Sequence, residues 1–364
     1  MRILYDNEIF LIQKYGGVSR YYFELIRRMP GFNTEVLLYM GRFINEYGLE
    51  KYSDKFTVFS GSKIKHIPRT KFLSITIQKP LFERFAEKQN FDIMHQTYFG
   101  DINVSKKHKR VVTVYDFTHD KFSENFSKLD RSAKLKKIAI EKADGIICIS
   151  ESTRKDLEEM YDLKSKKVKV IYLANSLRYD ISEKSIIDGK YILYIGDRRS
   201  YKNFAIMLKL FEINQSLKVD YKLICCGGGE FTKTETDMIS KADLQNTFVQ
   251  VGANDKKMAN LYKYAAAFVY PSKYEGFGIP LLEAMFYECP IVASNVGSLP
   301  EICGNAGLYF NPDSPEELSS CIDSVINDTN IRNDLIQKGR DREKLFSWDK
   351  CAHETYDFYQ EVLS

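Results

Sequence analysis

Two doubly wound α/β units in tandem are the fold this sequence predicts, and three observations predict it. Short apolar runs alternate with amphipathic stretches along the whole chain. The alternation lapses once, at the polar and weakly patterned residues 174–189, and then restarts. A length of 364 residues also exceeds what one ordinary hydrophobic core organises. Continuous apolar strands separated by amphipathic helices indicate parallel sheets covered on both faces. Ligands of such sheets bind beyond the carboxyl ends of the strands, so two units facing each other leave a binding cleft.

The elements follow in order. Residues 2–5 form a short strand, and Gly16-Gly17 opens a helix to about Arg28, with Tyr22, Leu25, Ile26 and Met29 as its apolar positions. Strands follow at 35–39, 91–95 and 110–115, then a helix at 132–142, a strand at 145–150, a helix at 152–161 and a strand at 168–173. Beyond the linker come a strand at 190–195, a helix at 203–214, and a strand at 221–226 that runs into Gly227-Gly228-Gly229. Strands at 248–251, 266–270 and 290–294 alternate with helices at 256–265 and 280–287. Helices at 316–327, 330–345 and 348–363 complete the chain. The domains read from this pattern are residues 1–175 and 186–347.

Composition is that of a globular protein, 44% hydrophobic and 28% charged, without an apolar run long enough to span a membrane. The N-terminus enters a strand directly and lacks a signal-peptide layout, so a cytoplasmic location is expected. Seven cysteines without a Cys-x-x-Cys pair read as reduced thiols, those at 148, 225 and 226 inside strand-like runs. The net charge of +4 conceals an asymmetry. Residues 1–180 hold 33 Lys+Arg against 23 Asp+Glu, whereas residues 181–364 hold 20 against 26. A basic first half indicates an anionic partner. Lys63, Lys65, Arg69, Lys71 and Lys79 surround apolar residues 72–77 and 81–82, and Lys106, Lys107, Lys109 and Arg110 form a second cluster. Membrane attachment is one reading of these clusters, a solvated basic face the other. No nucleic-acid recognition motif accompanies them.

The chemistry concentrates in loops at strand ends. Residues 270–283 read Tyr-Pro-Ser-Lys-Tyr-Glu-Gly-Phe-Gly-Ile-Pro-Leu-Leu-Glu. Gly276 and Gly278 permit close approach of backbone to a ligand, and Pro280 suits the first turn of a helix. The free N–H groups of a helix start form an anion site. Side chains on helices lean toward the N-terminus, so Glu283 points back at the same ligand and can accept two hydroxyls of a diol. Glu275 precedes the glycines and reaches another part of that ligand. The loop after residues 190–195 carries Arg198, Arg199 and Lys202, which suit a diphosphate. Gly16 and Gly17 occupy the corresponding position after the first strand. Asp116 and His119 follow the apolar run 111–115, and His95 closes another strand. There is no Asp-x-Asp, Walker loop, Gly-x-Ser-x-Gly or His-Glu-x-x-His, and no complete Gly-x-Gly-x-x-Gly. With no carboxylate pair to hold a metal, cationic side chains and helix starts are the groups left to neutralise a leaving diphosphate, so no metal cofactor is expected.

Together the segments EGFGIPLLEAM, YIGDRRSYKN and FLIQKYGGVSRYYFELI resemble glycosyltransferase family 4, retaining enzymes of the GT-B fold. CCGGGEFTKTE, ISESTRKDL and GSLPEICGNAGLYFNP are similar too, so the resemblance spans nearly the whole chain. It implies two Rossmann-like domains, the first for the acceptor and the second for the donor, with the last helix, from Trp348, crossing back to the first. It implies that Glu283 holds the nucleotide ribose and Glu275 contacts the donor sugar near the reacting centre. Arg198 and Lys202 then bind the diphosphate, with Gly17 approaching from the first domain and Gly276, Phe277, Gly278 and Ile279 lining the donor site. Asp197 intervenes between Gly196 and the arginines, so Arg198 and Arg199 compete for the phosphate. Tyr115 precedes Asp116 where many members have histidine, so the sugar-facing imidazole is either His119, near Asp116, or absent. The implied donor is a UDP- or GDP-linked hexose, and the implied acceptor a glycan or lipid-linked glycan of polysaccharide or lipopolysaccharide synthesis. The location expected on this reading is cytoplasmic and peripheral at the inner membrane face. A sugar-nucleotide-binding protein without catalysis and a sugar-nucleotide epimerase are the competing classes.

Overall fold

The computed structural model describes residues 1–65, 71–105, 107–127, 130–163, 166–181 and 184–364, with the backbone alone at 71–74. Arg69 and Lys106 of the basic clusters lie outside the described residues, as do the side chains of Lys71 and Phe72. The chain forms two compact units. The first comprises Met1–Asp120, Phe126–Leu173 and Ser347–Ser364, and the second Lys121–Asn125 and Ala174–Phe346.

The first unit is built on β1 (Arg2–Tyr5), β2 (Glu35–Phe43), β3 (Val58–Lys63), β4 (Ile93–Gln96), β5 (Lys109–Val114), β6 (Gly145–Cys148) and β7 (Lys167–Val170). These pair in parallel in the order β3-β2-β1-β4-β5-β6-β7. The central strands are buried on both faces, which explains the apolar run of β6, and β4 starts apolar but buries His95 and Gln96 at its end. Two elements depart from the sequence reading. Edge strand β3 is half-exposed and reads Val-Phe-Ser-Gly-Ser-Lys, with neither alternation nor an apolar run. The helix Lys71–Glu87 is interrupted by Pro80 and lacks a strong apolar stripe. The final helix, Trp348–Leu363, belongs to this unit, and Ser347 caps it by accepting from Lys350 N. Its Tyr359 hydroxyl lies 2.5 Å from His95 Nδ1 and 3.0 Å from the Tyr5 hydroxyl, so the tail is pinned to β1 and β4. His95 is fully buried, and burial pushes its pKa down to about 3. The neutral ring bonds Thr113 and Tyr22 through Nε2. His95 is therefore a packing residue in this structure, with no exposed face for a ligand.

The second unit is built on β8 (Lys190–Ile195), β9 (Tyr221–Cys226), β10 (Phe248–Val251), β11 (Ala267–Tyr270), β12 (Ile291–Ser294) and β13 (Gly307–Phe310). Its parallel order is β10-β9-β8-β11-β12-β13. Ile192, Tyr194, Leu223, Val269 and Val292 pack with Met207, Leu210, Phe211 and Ile322 of the covering helices. The strand order turns outward in both directions from the β8–β11 pair, and a crevice opens at such a switch point. The loops that follow these two strands are the two predicted to carry the donor chemistry. All seven cysteines are free thiols. No described helix is long and apolar enough to cross a membrane.

Candidate active site

Glu275 lies in the loop after β11, and Lys202 ends the short 3₁₀ turn Ser200–Lys202 after β8. Although 73 positions apart, they meet: Lys202 Nζ donates to Glu275 Oε1 at 2.6 Å, with side chains only 16% and 12% exposed. Burial works against the Lys202 charge, but the Glu275 carboxylate more than offsets it, and the ammonium holds its proton above the usual lysine range. The same carboxylate adds to burial in raising the Tyr270 phenol. Backbone contacts tie the two loops, since Lys273 N donates to Tyr201 O at 2.7 Å. Asn203 adopts a left-handed conformation, φ 56°, and its amide donates to Pro312 O at 2.6 Å.

Beyond Glu275 the chain turns through Gly276-Phe277-Gly278 into the helix Ile279–Phe286. Gly278 has φ 102°, and a Cβ there would meet Leu281 Cδ1 at 3.1 Å and Leu299 Cδ2 at 3.2 Å. No side chain caps this helix start. Glu283 is the fifth helical residue, one turn deeper than Ile279. Tyr262 donates its hydroxyl to Glu283 Oε2 at 2.9 Å and is itself fully buried. Buried Ser298, after β12, donates at 3.0 Å to the carbonyls of both Glu275 and Phe277. Sequence reasoning missed Tyr262 and Ser298. Ser298 sat behind a usable signal, a polar residue following the strand next to β11, whereas Tyr262 is an ordinary helix aromatic whose partner lies 21 positions away.

Arg198 differs from expectation. Its side chain is 2% exposed and donates to Glu235 Oε1 at 2.9 Å, Gly227 O at 2.8 Å, and Gly229 O and Glu230 O at 2.9 Å each. Its guanidinium also lies 4.9 Å from the Phe231 ring centroid. It fastens the loop after β8 to the triple-glycine turn after β9, where Gly227, Gly228 and Gly229 all have positive φ. Arg199 is the outward one, 50% exposed and 3.0 Å from Asp197.

In the first unit Gly17 begins the helix Gly17–Ile26. A Cβ on Gly16 would meet Gln13 Oε1 at 2.5 Å, an atom already bonded to Ser19 N. Asp116 is half-buried and accepts from Thr118 N at 2.9 Å, opening the short helix Thr118–Lys121. Buried Lys136 donates to Asp116 O at 2.7 Å and Asp120 Oδ2 at 2.6 Å, fixing this turn. His119 stacks on Phe126 with ring centroids 4.0 Å apart, and burial shifts its pKa below the usual histidine range.

Among the described residues, no group of three His, Cys, Asp or Glu side chains could hold a metal ion. The second unit thus carries a cation, a carboxylate, an uncapped helix start and a second carboxylate in the segments that follow β8 and β11.

Residues 178–342 match the model of glycosyl transferases group 1, and residues 15–174 that of glycosyltransferase family 4. An O-antigen chain mannosyltransferase B of Escherichia coli is 27% identical over 368 residues, covering 94% of this chain and 96% of its own. A sucrose-phosphate synthase from Thermosynechococcus elongatus superposes with a TM-score of 0.76 at 18% identity, over 99% of this chain and 98% of its own. Anabaena HepE, solved with UDP and glucose, superposes with a TM-score of 0.74 at 15% identity, over 99% and 100% of the two chains. The structural likenesses speak to the fold, which is GT-B.

Proposed function

We propose, from the premise that this chain belongs to the GT-B glycosyltransferases, that it is a retaining enzyme moving a hexose from a nucleoside diphosphate to a hydroxyl of a lipid-linked or cell-surface glycan. One observation carries the reading: the Lys202–Glu275 contact of 2.6 Å, formed at the switch point from two distant loops. A cation next to an uncapped helix start suits a diphosphate, and a carboxylate within the same reach suits sugar hydroxyls. Glu283, oriented by Tyr262, takes the ribose diol. Arg199 joins Lys202 on the diphosphate, because Arg198 already spends its donors on the glycine turn. Gly17, Asp116 and His119 keep the roles that the family resemblance implies for them, the neutral His119 ring as a hydrogen-bond partner of a sugar hydroxyl. In the reaction the bond from the anomeric carbon to the phosphate oxygen breaks while the acceptor oxygen bonds to that carbon on the same face. A leaving phosphate oxygen takes the acceptor proton. The chain contributes position and positive field without a required metal.

UDP- or GDP-linked mannose and UDP-glucose are the first donors to test, since the Escherichia coli relative is a mannosyltransferase and HepE was also solved with UDP-glucose. The true donor raises the melting temperature in a concentration-dependent way and is consumed in the presence of EDTA. An inverted anomeric configuration in the product refutes retention, and silence toward every nucleotide sugar refutes the assignment.

The acceptor is assigned to an anionic membrane surface. On the helix Lys71–Glu87, Ile77 and Leu81 are 55% and 52% exposed, and exposed Arg84 and Lys88 follow at helical spacing. Each basic group near such a surface adds about 1 kcal/mol. Elsewhere the basic clusters are partly neutralised, Lys63 by Glu46 at 2.5 Å and Lys109 by Asp144 at 3.2 Å. The chain should pellet with anionic liposomes at low salt and be released at high salt, and Leu81→Asn should weaken pelleting. Absence of low-salt binding removes the membrane from the proposal.

A further inference from the structure

We propose that Lys202 and Glu275 form an exchange pair, in which each stands in for the other's ligand until a donor diphosphate takes Lys202 and releases Glu275 to the sugar. The inference rests on the donor reading above and adds an order of events to it. The ammonium and carboxylate are each other's counter-ion at 2.6 Å. The ammonium also lies 5.5 Å and 5.7 Å from the ring centroids of Tyr201 and Tyr270, which flank the pair. Both loops are anchored by other contacts. Ser298 holds the carbonyls of Glu275 and Phe277, Lys273 N holds Tyr201 O, and the Asn203 amide holds Pro312 O. Exchange therefore needs two side chains to rotate and leaves the backbone in place.

A half-buried carboxylate whose Oε1 accepts from an ammonium has part of its charge neutralised and is a weaker acceptor for a sugar hydroxyl. An ammonium already satisfied by a carboxylate likewise loses that bond when it turns to phosphate. A diphosphate, with more negative charge than one carboxylate, wins the ammonium. The freed carboxylate, with the Tyr270 phenol beside it, then turns to the sugar on the same donor. Lys202 thereby acts as a specificity-determining residue: a sugar without a diphosphate finds Glu275 occupied.

The pair has a consequence opposite in sign to a simple loss of contact. Glu275→Gln keeps the side-chain shape and removes the competitor, so UDP or GDP, whichever the native chain binds, should bind about tenfold tighter by titration calorimetry, the equivalent of one charge-assisted bond. Simple repulsion between Glu275 and any anion predicts tightening too, so a second background is needed. In Lys202→Gln, nucleoside diphosphate binds more weakly than to the native chain, and adding Glu275→Gln should change the affinity by less than about twofold. An E275Q variant that binds no tighter than the native chain overturns the exchange, as does a tightening that persists undiminished in the K202Q background. If the native chain binds neither UDP nor GDP, the donor reading itself fails and the inference with it. A native chain that binds normally without the predicted coupling sinks the exchange alone.

Discussion

Glu275→Ala lowers turnover about 10²- to 10³-fold at saturating donor and acceptor, while the fold persists and nucleoside diphosphate binds no more weakly than before. The side chain partners Lys202 and lies against the Tyr270 phenol, and it is the backbone carbonyl of Glu275 that Ser298 grips. Truncation at Cβ leaves that grip, the left-handed Gly278 and the helix start untouched. On the proposed reading, what disappears is the group that fixes the donor sugar while charge separates at its anomeric carbon. An interaction made with the reacting part of the substrate lowers kcat when lost, whereas one made with the nucleotide raises KM. The substitution should accordingly split the two parameters. The remaining Lys202 loses its counter-ion, which costs about 1–3 kcal/mol and a few degrees of melting temperature. Initial rates together with calorimetric titration of UDP and GDP check this. Turnover within threefold of the native chain would remove Glu275 from the chemistry.

The turn and helix of residues 270–283 were legible because their signal is local. A strand end, two glycines, a proline and two glutamates stand within residues 270–283, and their geometry follows from helix and turn rules without knowledge of distant contacts. The parallel strands were legible for a similar reason: β6 and β11 are buried along their whole length and carry apolar runs, while buried β4 and β12 begin apolar and end on His95-Gln96 and Ser294. Edge positions lose that signal. In β3 the residues face solvent from Gly61 to Lys63, and β13 is half-exposed at Leu308 and Tyr309, so neither stands out from a loop. Small helices such as Lys233–Lys241 were hidden differently. Thr232 and Glu235 form a capping box there, a signal present in the sequence but overshadowed by the glycine run before it. Long-range partners were invisible altogether. Nothing near Arg198 in the chain indicates that its donors are claimed 29 to 37 positions downstream.

That hidden contact sets the largest stability effect expected here. Arg198→Gln should destabilise the second unit by about 3–5 kcal/mol, the usual cost of stranding one partner of a buried ion pair. Four donations vanish together, three of them to carbonyls of the turn Gly227–Glu230, whose glycines all hold positive φ. Glutamine has one amide group to replace a guanidinium and cannot span from Glu235 to Gly229. Glu235 is also the third helical residue whose carboxylate accepts from Thr232 N at 2.7 Å, so the start of the helix Lys233–Lys241 loosens with it. Burial opposes the Glu235 charge, but bonds from Thr232 and Arg198 outweigh it and hold its pKa below the usual carboxylate range. Without Arg198 part of that stabilisation is lost. For a unit of this size the destabilisation corresponds to a melting temperature lower by about 6–15 °C. Arg199→Gln is the control with the opposite profile. That side chain is half-exposed and its contact with Asp197 is a surface pair, so stability should stay within about 0.5–1 kcal/mol while nucleoside diphosphate binds more weakly. Thermal melts of the two variants, each with and without UDP or GDP, separate the strut from the phosphate ligand. An Arg198→Gln protein that melts like the native chain yet loses nucleotide affinity would return the diphosphate to Arg198.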